Sequence, residues 1–284
     1  MSDHKKVAYS GIEGSYADIA ASHICPDAER MAFRSFHKAY AAVEEGTCDL
    51  AILPIENSYA GEVGAVTDLM FHGSLMVSNV YELQIRHCLL GIAGSSMDSV
   101  RTVFSHPQAL EQCSLFIEKH GYATNAYENT ARAARFIASQ DDISKAAIAS
   151  SETAKLYGLQ VLEKGINDSP DNTTRFAAFQ RPDCVKVDRG EDDKINSILL
   201  FTVRHKSGTL ARALSVLSDF GYNMRIIRSR PLKNKNWEYY FYTEVEGDLF
   251  SEKGKQMLSG LKYECGQIKV AGTYEPGIVL QTKE

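Results

Sequence analysis

Over roughly the first 180 residues, short apolar runs alternate with stretches whose apolar positions recur at helical spacing. "KVAYS" reads as a strand that ends at "GIEG", and Ser15 with Asp18 forms a capping-box pattern opening the helix "SYADIAASHI". Met31 to Phe33 reads as a short strand, and Phe36, Tyr40 and Val43 predict a helix that Gly46 stops. "LAILPI" has the unbroken apolarity of a buried strand; polar "ENS" and a helical "EVGAVTDLMF" follow it. After "LMVSNV" the cycle repeats with "TVFS", a helix from Pro107 to His120 closed by Gly121, "ATNA", a helix from Thr130, and "AAIAS". Such alternation predicts βαβ units and a largely parallel sheet, hence an α/β fold.

The charged stretch "RPDCVKVDRGEDD" breaks this rhythm and reads as a linker. Beyond it the order becomes strand (195–204), helix (209–220), strand (224–230), strand (238–246), helix (251–262), strand (265–274), a βαββαβ pattern of ferredoxin-like type. The domains are therefore expected at 1–181 and 195–274, with a linker at 182–194 and a tail at 275–284.

Composition narrows the class. A chain of 284 residues, 44% apolar and 24% charged, suits two ordinary soluble domains. A net charge of −5 leaves no overall basic footprint for nucleic acid, and the local cluster Arg225, Arg228, Arg230, Lys233, Lys235 reads as a solvated face. Six cysteines without any C-x-x-C pair read as free thiols of a reducing compartment. The polar start "MSDHKK" and the absence of a long apolar run predict a cytoplasmic protein with no membrane contact.

Candidate chemistry lies where strands end. In "LAILPIENSYAG" and "TVFSHPQALEQC" an apolar strand gives way to polar residues and then a helix, the place where open α/β sheets bind ligands and where helix N-termini favour anions. Glu56, Asn57 and Ser58 occupy the first such place; Ser105 and Gln112, two helical turns apart, occupy the second. Glu56 is either a general acid or a buried, paired carboxylate. A third polar stretch, "NDSPDNTTRFAAFQ", brings two hydroxyls and an arginine to the start of an apolar run, with no histidine, cysteine or pair of acids beside them. Chemistry here would work through hydroxyls and hydrogen bonds. Dinucleotide, P-loop and G-x-S-x-G signatures are absent, and the histidines stand too far apart in sequence for an H-x-x-x-H metal pair.

Together these segments resemble prephenate dehydratases that carry a C-terminal ACT regulatory domain. The resemblance rests on "GIEGSYADIA", "DLAILPIENSYAGEV", "SHPQALEQC", "NTARAA", "AAIASSETAKLYGLQVL" and "INDSPDNTTRF", then "GTLARAL" and "RSRP", in that order across nearly the whole chain. It implies a two-lobed catalytic domain of the type II periplasmic-binding-protein kind and a cofactor-free, metal-free reaction: prephenate loses its ring carboxylate and 4-hydroxyl to give phenylpyruvate. By motif Thr174 is the catalytic residue, donating a hydrogen bond or proton to the leaving hydroxyl, with Glu56 beside it. Asn57, Ser58, Ser105, Gln112, Thr173, Arg175 and Phe176 carry over as substrate-binding or orienting residues. Arg175 either pairs a substrate carboxylate or braces the strand. Thr173 and Thr174 should point to opposite faces of an extended segment, so one threonine alone serves the site.

For the ACT portion the resemblance implies a phenylalanine effector bound by Gly208, Thr209, Leu210, Asn223, Arg228, Ser229, Arg230 and Pro231, and a homodimer or homotetramer. "GTLARAL" has Thr209 where the family has alanine, and "RSRP" has Arg228 where it has glutamate. Arogenate dehydratase, the same elimination on an amino-bearing substrate, and a non-catalytic carboxylate sensor remain alternative readings.

Overall fold

The computed structural model describes residues 5–185, 195–233 and 237–280. The first lobe is built from β1 (Lys6–Ser10), α1 (Tyr16–Ile24), β2 (Glu29–Phe33), α2 (Phe36–Glu44), β3 (Leu50–Asn57), β4 (Gly61–Glu62), α3 (Gly64–His72) and β5 (Met76–Gln84). The chain then crosses to a second lobe: β6 (Cys88–Gly91), β7 (Thr102–Ser105), α4 (Pro107–Glu111), α5 (Ser114–His120), β8 (Ala123–Ala126), α6 (Thr130–Ala138), β9 (Lys145–Ala149), α7 (Ser151–Tyr157) and β10 (Gln160–Lys164). It returns as β11 (Thr173–Gln180), which inserts between β3 and β5 and runs antiparallel to both. That return makes the first sheet mixed, and β6, antiparallel to β9 and β10, makes the second mixed, instead of largely parallel. Each lobe has its own apolar core, so the cleft between them is lined by strand ends and loops.

Local chemistry explains several boundaries. Ser15 accepts a hydrogen bond from Asp18 N at the start of α1, while the Asp18 carboxylate accepts from Gly14 N and Arg30. Asn129 caps α6 in the same way. Gly121 closes α5 in the left-handed conformation expected of it, φ 65°. The helix expected from Pro107 to His120 is two helices, because the backbone leaves helical geometry at Cys113, the N-cap of α5.

Beyond the linker, whose residues 186–194 lie outside the described set together with Lys235, come β12 (Asn196–Val203), α8 (Thr209–Asp219), β13 (Met224–Pro231), β14 (Tyr239–Glu246), α9 (Glu252–Glu264) and β15 (Cys265–Tyr274). This is the anticipated βαββαβ order, with strands arranged β13–β14–β12–β15. Leu199, Phe201, Phe241 and Val245 face α8 and α9, whereas Ile198, Leu200, Tyr240 and Tyr242 pack into the first lobe, as two-residue alternation demands. The sheet therefore buries both faces. At its inner edge β15 pairs in parallel with β5 through Gly272 and Val77, joining the two domains' strands into one sheet. The expected tail contributes β16 (Ile278–Leu280), which also pairs with β5.

Candidate active site

Thr174, the second residue of β11, stands at the mouth of the cleft and is 8% exposed. The space in front of it measures about 970 Å³ and is lined from the first lobe by Tyr16, Arg34, Pro54, Asn57 and Phe176, and from the second by His106, Gln108, Gln112, Glu128 and Arg132. Two helix N-termini, those of α1 and α6, reach it from opposite lobes.

Strand phase decides which residues arrive there. On β3, Ile52 and Pro54 face the cleft side while Leu53 and Ile55 pack toward the C-terminal sheet. Strict alternation would bring Glu56 into the cleft and turn Asn57 away. A β-bulge intervenes: Arg175 pairs with Glu56, yet the next residue, Phe176, pairs with Pro54, so Ile55 is the extra residue. Its effect is to return Asn57 to the cleft and leave Glu56 outside it. Glu56 meets Arg175 at 2.9 Å and also pairs with Arg228. The catalytic placement expected for Glu56 is therefore corrected in favour of the paired alternative, with the carboxylate half-buried.

Asn57, 7% exposed, organises the site. Its Oδ1 accepts from the backbone N–H groups of Tyr59 (3.1 Å) and Ala60 (2.9 Å), which fixes the amide's orientation. Its Nδ2 therefore donates, to Asn172 Oδ1 at 2.8 Å and to Thr174 Oγ1 at 2.9 Å. Because Thr174 accepts from Asn57, its own hydroxyl proton is free to be donated into the cleft. Gln112, 4% exposed, lies across the cleft as the C-cap of α4; its Oε1 accepts from Asn172 Nδ2 at 2.9 Å, and its Nε2 faces Asn57 Oδ1 at 3.5 Å.

Other expected residues lie elsewhere. Ser105 is fully buried and donates to Ile148 O at 2.6 Å, holding β7 to β9, while His106 caps α4 by accepting from Gln108 N. Ser58 is exposed and tied to Asp171 O and Thr173 N. Thr173 turns away from the cleft, as alternation requires, and Phe176 lines it. Arg175 braces the domains: it forms a two-pronged pair with Glu244 at 2.9 Å and donates to Tyr274. Burial alone would raise the Glu244 pKa, but the Arg175 hydrogen bonds and charge, with those of Tyr242 and Tyr274, hold it below the ordinary carboxylate value.

Sequence reasoning assigned no role to Tyr16, Arg34, His87, Glu128, Arg132 or Asn172. The signal for some of them was present: "NTARAA" follows a strand and opens a helix, as the two recognised places do. Asn172 lies within "INDSPDNTTRF", two residues before Thr174; Arg34 and His87 have no such mark, and only the fold brings them in.

In the C-terminal domain, Gly208 is the N-cap of α8, and Thr209 Oγ1 donates to Arg204 O and Lys206 O. Gly208, Thr209 and Leu210 line a pocket of about 470 Å³ together with Glu238, Tyr239 and Phe241. Asn223 binds Glu246, and Ser229 and Pro231 lie exposed on the edge strand β13, outside that pocket. Arg228 and Arg230 point the opposite way, to Glu56 and to Glu62 and Asp68; Lys233 also reaches Asp68. The basic cluster read as a solvated face is thus largely an inter-domain seam, and the two expected effector segments do not meet within one chain.

A two-lobed α/β cleft that presents a threonine and three carboxamides, fastened to a ferredoxin-like sheet, has the form of a small-molecule site with an appended second domain. Residues 7–184 match the family described as Prephenate dehydratase, and residues 197–249 match the ACT domain. The chain is 34% identical to "Arogenate dehydratase/prephenate dehydratase 2, chloroplastic" of Arabidopsis thaliana over 95% of this chain and 72% of that one. The prephenate dehydratase of Arthrobacter aurescens, solved in complex with L-Phe, superposes with a TM-score of 0.86 at 25% identity, covering 95% and 90% of the respective chains. GqqA, described as a novel type of quorum quenching acylase, superposes equally well, TM-score 0.86, at 29% identity over 96% and 98%. The chain belongs to the prephenate dehydratase family, with an ACT domain following its catalytic part.

Proposed function

We propose that the chain converts prephenate to phenylpyruvate, CO2 and water, with Thr174 as the hydrogen-bond donor to the departing 4-hydroxyl. The observation that carries this is the Asn57–Thr174 contact: an amide donor at 2.9 Å makes the threonine oxygen an acceptor and leaves its proton available to a substrate in the cleft. The C–C bond to the ring carboxylate breaks, its electron pair enters the ring, and the C–O bond to the hydroxyl breaks as the ring becomes aromatic. Oxygen leaves with negative charge, which the Thr174 hydroxyl meets by a shortened, charge-assisted hydrogen bond; the departing hydroxide takes its proton along that bond and leaves as water, and solvent returns a proton to Thr174. Arg34 and Arg132 on opposite walls, aided by the N-termini of α1 and α6, hold the two carboxylates. In this reading no carboxylic acid, metal or cofactor is needed.

Arogenate is the second reading, favoured by the 34% identity to plant relatives named for that substrate. An acylase reading needs a base beside the hydroxyl, and Asn57 Nδ2 is a donor there. Assaying purified protein with prephenate and arogenate side by side is the test; prephenate turnover supports the assignment, arogenate turnover alone replaces it, and tight binding without turnover makes the chain a sensor. We place the enzyme in the cytoplasm as a homo-oligomer that binds phenylalanine at the Gly208–Leu210 pocket completed by the partner's edge strand. Among the described residues no helix is long and apolar enough to cross a membrane.

A further inference from the structure

His87 lies on the first of the two segments that cross between the lobes, and Asn172 on the second. Both are 2% exposed, and neither belongs to a regular element. His87 Nε2 stands 3.1 Å from Gln112 Oε1, and its Nδ1 stands 3.1 Å from the Tyr16 hydroxyl. The ring's tautomer follows from the backbone end of the row. Tyr59 and Ala60 N–H groups make Asn57 Oδ1 an acceptor, so Asn57 Nδ2 donates to Asn172 Oδ1. Asn172 Nδ2 then donates to Gln112 Oε1, which leaves Gln112 Oε1 an acceptor for His87 as well. His87 therefore carries its proton on Nε2, and its Nδ1 is an acceptor that shares the single Tyr16 hydroxyl proton with the Arg86 carbonyl, 3.0 Å from the same hydroxyl.

We infer that His87 is a positioning residue for the elimination: its Nε2–H, together with Asn172, locks the Gln112 carboxamide so that the amide NH2 faces Asn57 and the substrate. An inverted Gln112 amide would set its NH2 against two donors, the His87 N–H and the Asn172 NH2, and its oxygen against Asn57 Oδ1. Each such mismatch leaves buried polar groups unpaired, which is why the clamp is directional. Removing His87 leaves one donor to hold the amide from a segment that itself belongs to the lobe hinge. Burial holds His87 neutral, its pKa pushed down to about 4 against an opposing effect of the Gln112 hydrogen bond, so the clamp carries no charge near the reacting dianion.

The inference rests on the dehydratase reading, and a double-mutant cycle tests it. His87→Leu should lower kcat by about tenfold, the worth of one neutral hydrogen bond, with KM changed less than about twofold. In a Gln112→Ala background the same substitution should change kcat by less than about twofold, because its target is gone. His87→Gln, whose amide N–H replaces Nε2–H, should retain activity within about threefold. Should His87→Leu not fold, His87→Asn, too short to reach Gln112, takes its place. Additive losses in the two backgrounds, or failure of His87→Gln to restore activity, overturn the inference, since a merely structural histidine would act independently of Gln112. The wild-type rate measured alongside separates the two readings: no turnover overturns both, whereas turnover with additive losses overturns the role of His87 alone.

Discussion

At the scale of single residues, Thr174 and Thr173 are a natural control for each other. They are adjacent and chemically identical, and one faces the cleft while its neighbour faces the opposite side of β11. Thr174→Ala should lower kcat by about 10² or more, the usual worth of acid-type assistance to a leaving group, while Thr173→Ala stays near wild type. Steady-state kinetics on both variants checks this, and equal losses would remove Thr174 from its role. His87 contributes differently, through proton linkage. Its folded-state pKa, about 4, lies below the ordinary value of 6.5, so the unfolded chain binds the proton first. Stability contributed by the neutral ring is whole above pH 6.5 and declines as pH falls toward 4, by at most about 3 kcal/mol. Urea titrations at pH 7 and pH 4.5 should show that decline, and His87→Gln should flatten it.

Among elements, β3 and β11 do most to organise the site, and their bulge separates two functions along one pair of strands. Thr174 and Asn57 serve the cleft; Arg175 and Glu56 serve the seam with β13 and β14. Arg175→Met should leave Glu244, 1% exposed in its side chain, as a buried charge without its cation, at a cost of about 3–5 kcal/mol. Because the Glu244 pKa is held below its ordinary 4.5, its share of stability is present above that pH and lost as pH falls through the depressed value; the variant should lose this acid limb. Thermal melts from pH 7 down to pH 3 test both statements. Strand–helix alternation was legible in the sequence because two-residue and helical periods survive in "LAILPI" and "YADIAASHI". The bulge was not, since "LPIEN" fits an unbroken strand equally well and only pairing with β11 selects Ile55 as the extra residue. Nor was the seam: Arg228 meets Glu56 across 172 positions of chain, a distance over which local pattern carries no information. The hydroxyl–amide site was half legible. Asn57, Gln112, Asn172 and Thr174 sit in recognisable motifs, whereas His87 matters through neighbours that folding supplies.

For the molecule as a whole, the domains are joined by a shared apolar core, by the seam of arginines and carboxylates, and by one close strand junction. Gly272, φ 151°, passes so close to Val77 that a Cβ there would lie 2.0 Å from the Val77 carbonyl oxygen, a backbone atom that cannot rotate away. Gly272→Ala should therefore cost about 1–3 kcal/mol by overpacking and loosen the C-terminal sheet from β5. Calorimetry should show a lower unfolding temperature in the variant; an unchanged transition would mean that the shared core and the seam of arginines and carboxylates suffice without the strand junction. L-phenylalanine titrated into both proteins should give similar heats, because the Gly208–Leu210 pocket lies on the far side of the sheet from Gly272.

The short strand β16 deserves a last deduction. It runs beside β5 at Tyr81, Glu82 and Leu83, so polypeptide from beyond the ACT fold finishes the border of the catalytic lobe. A scissors cut at residue 185 would strip that border bare, offering stretches of Met76–Gln84 with unanswered amides to any passing chain. The halves are sewn together twice, and whoever wishes to study the catalyst without its governor should graft the final hem back on.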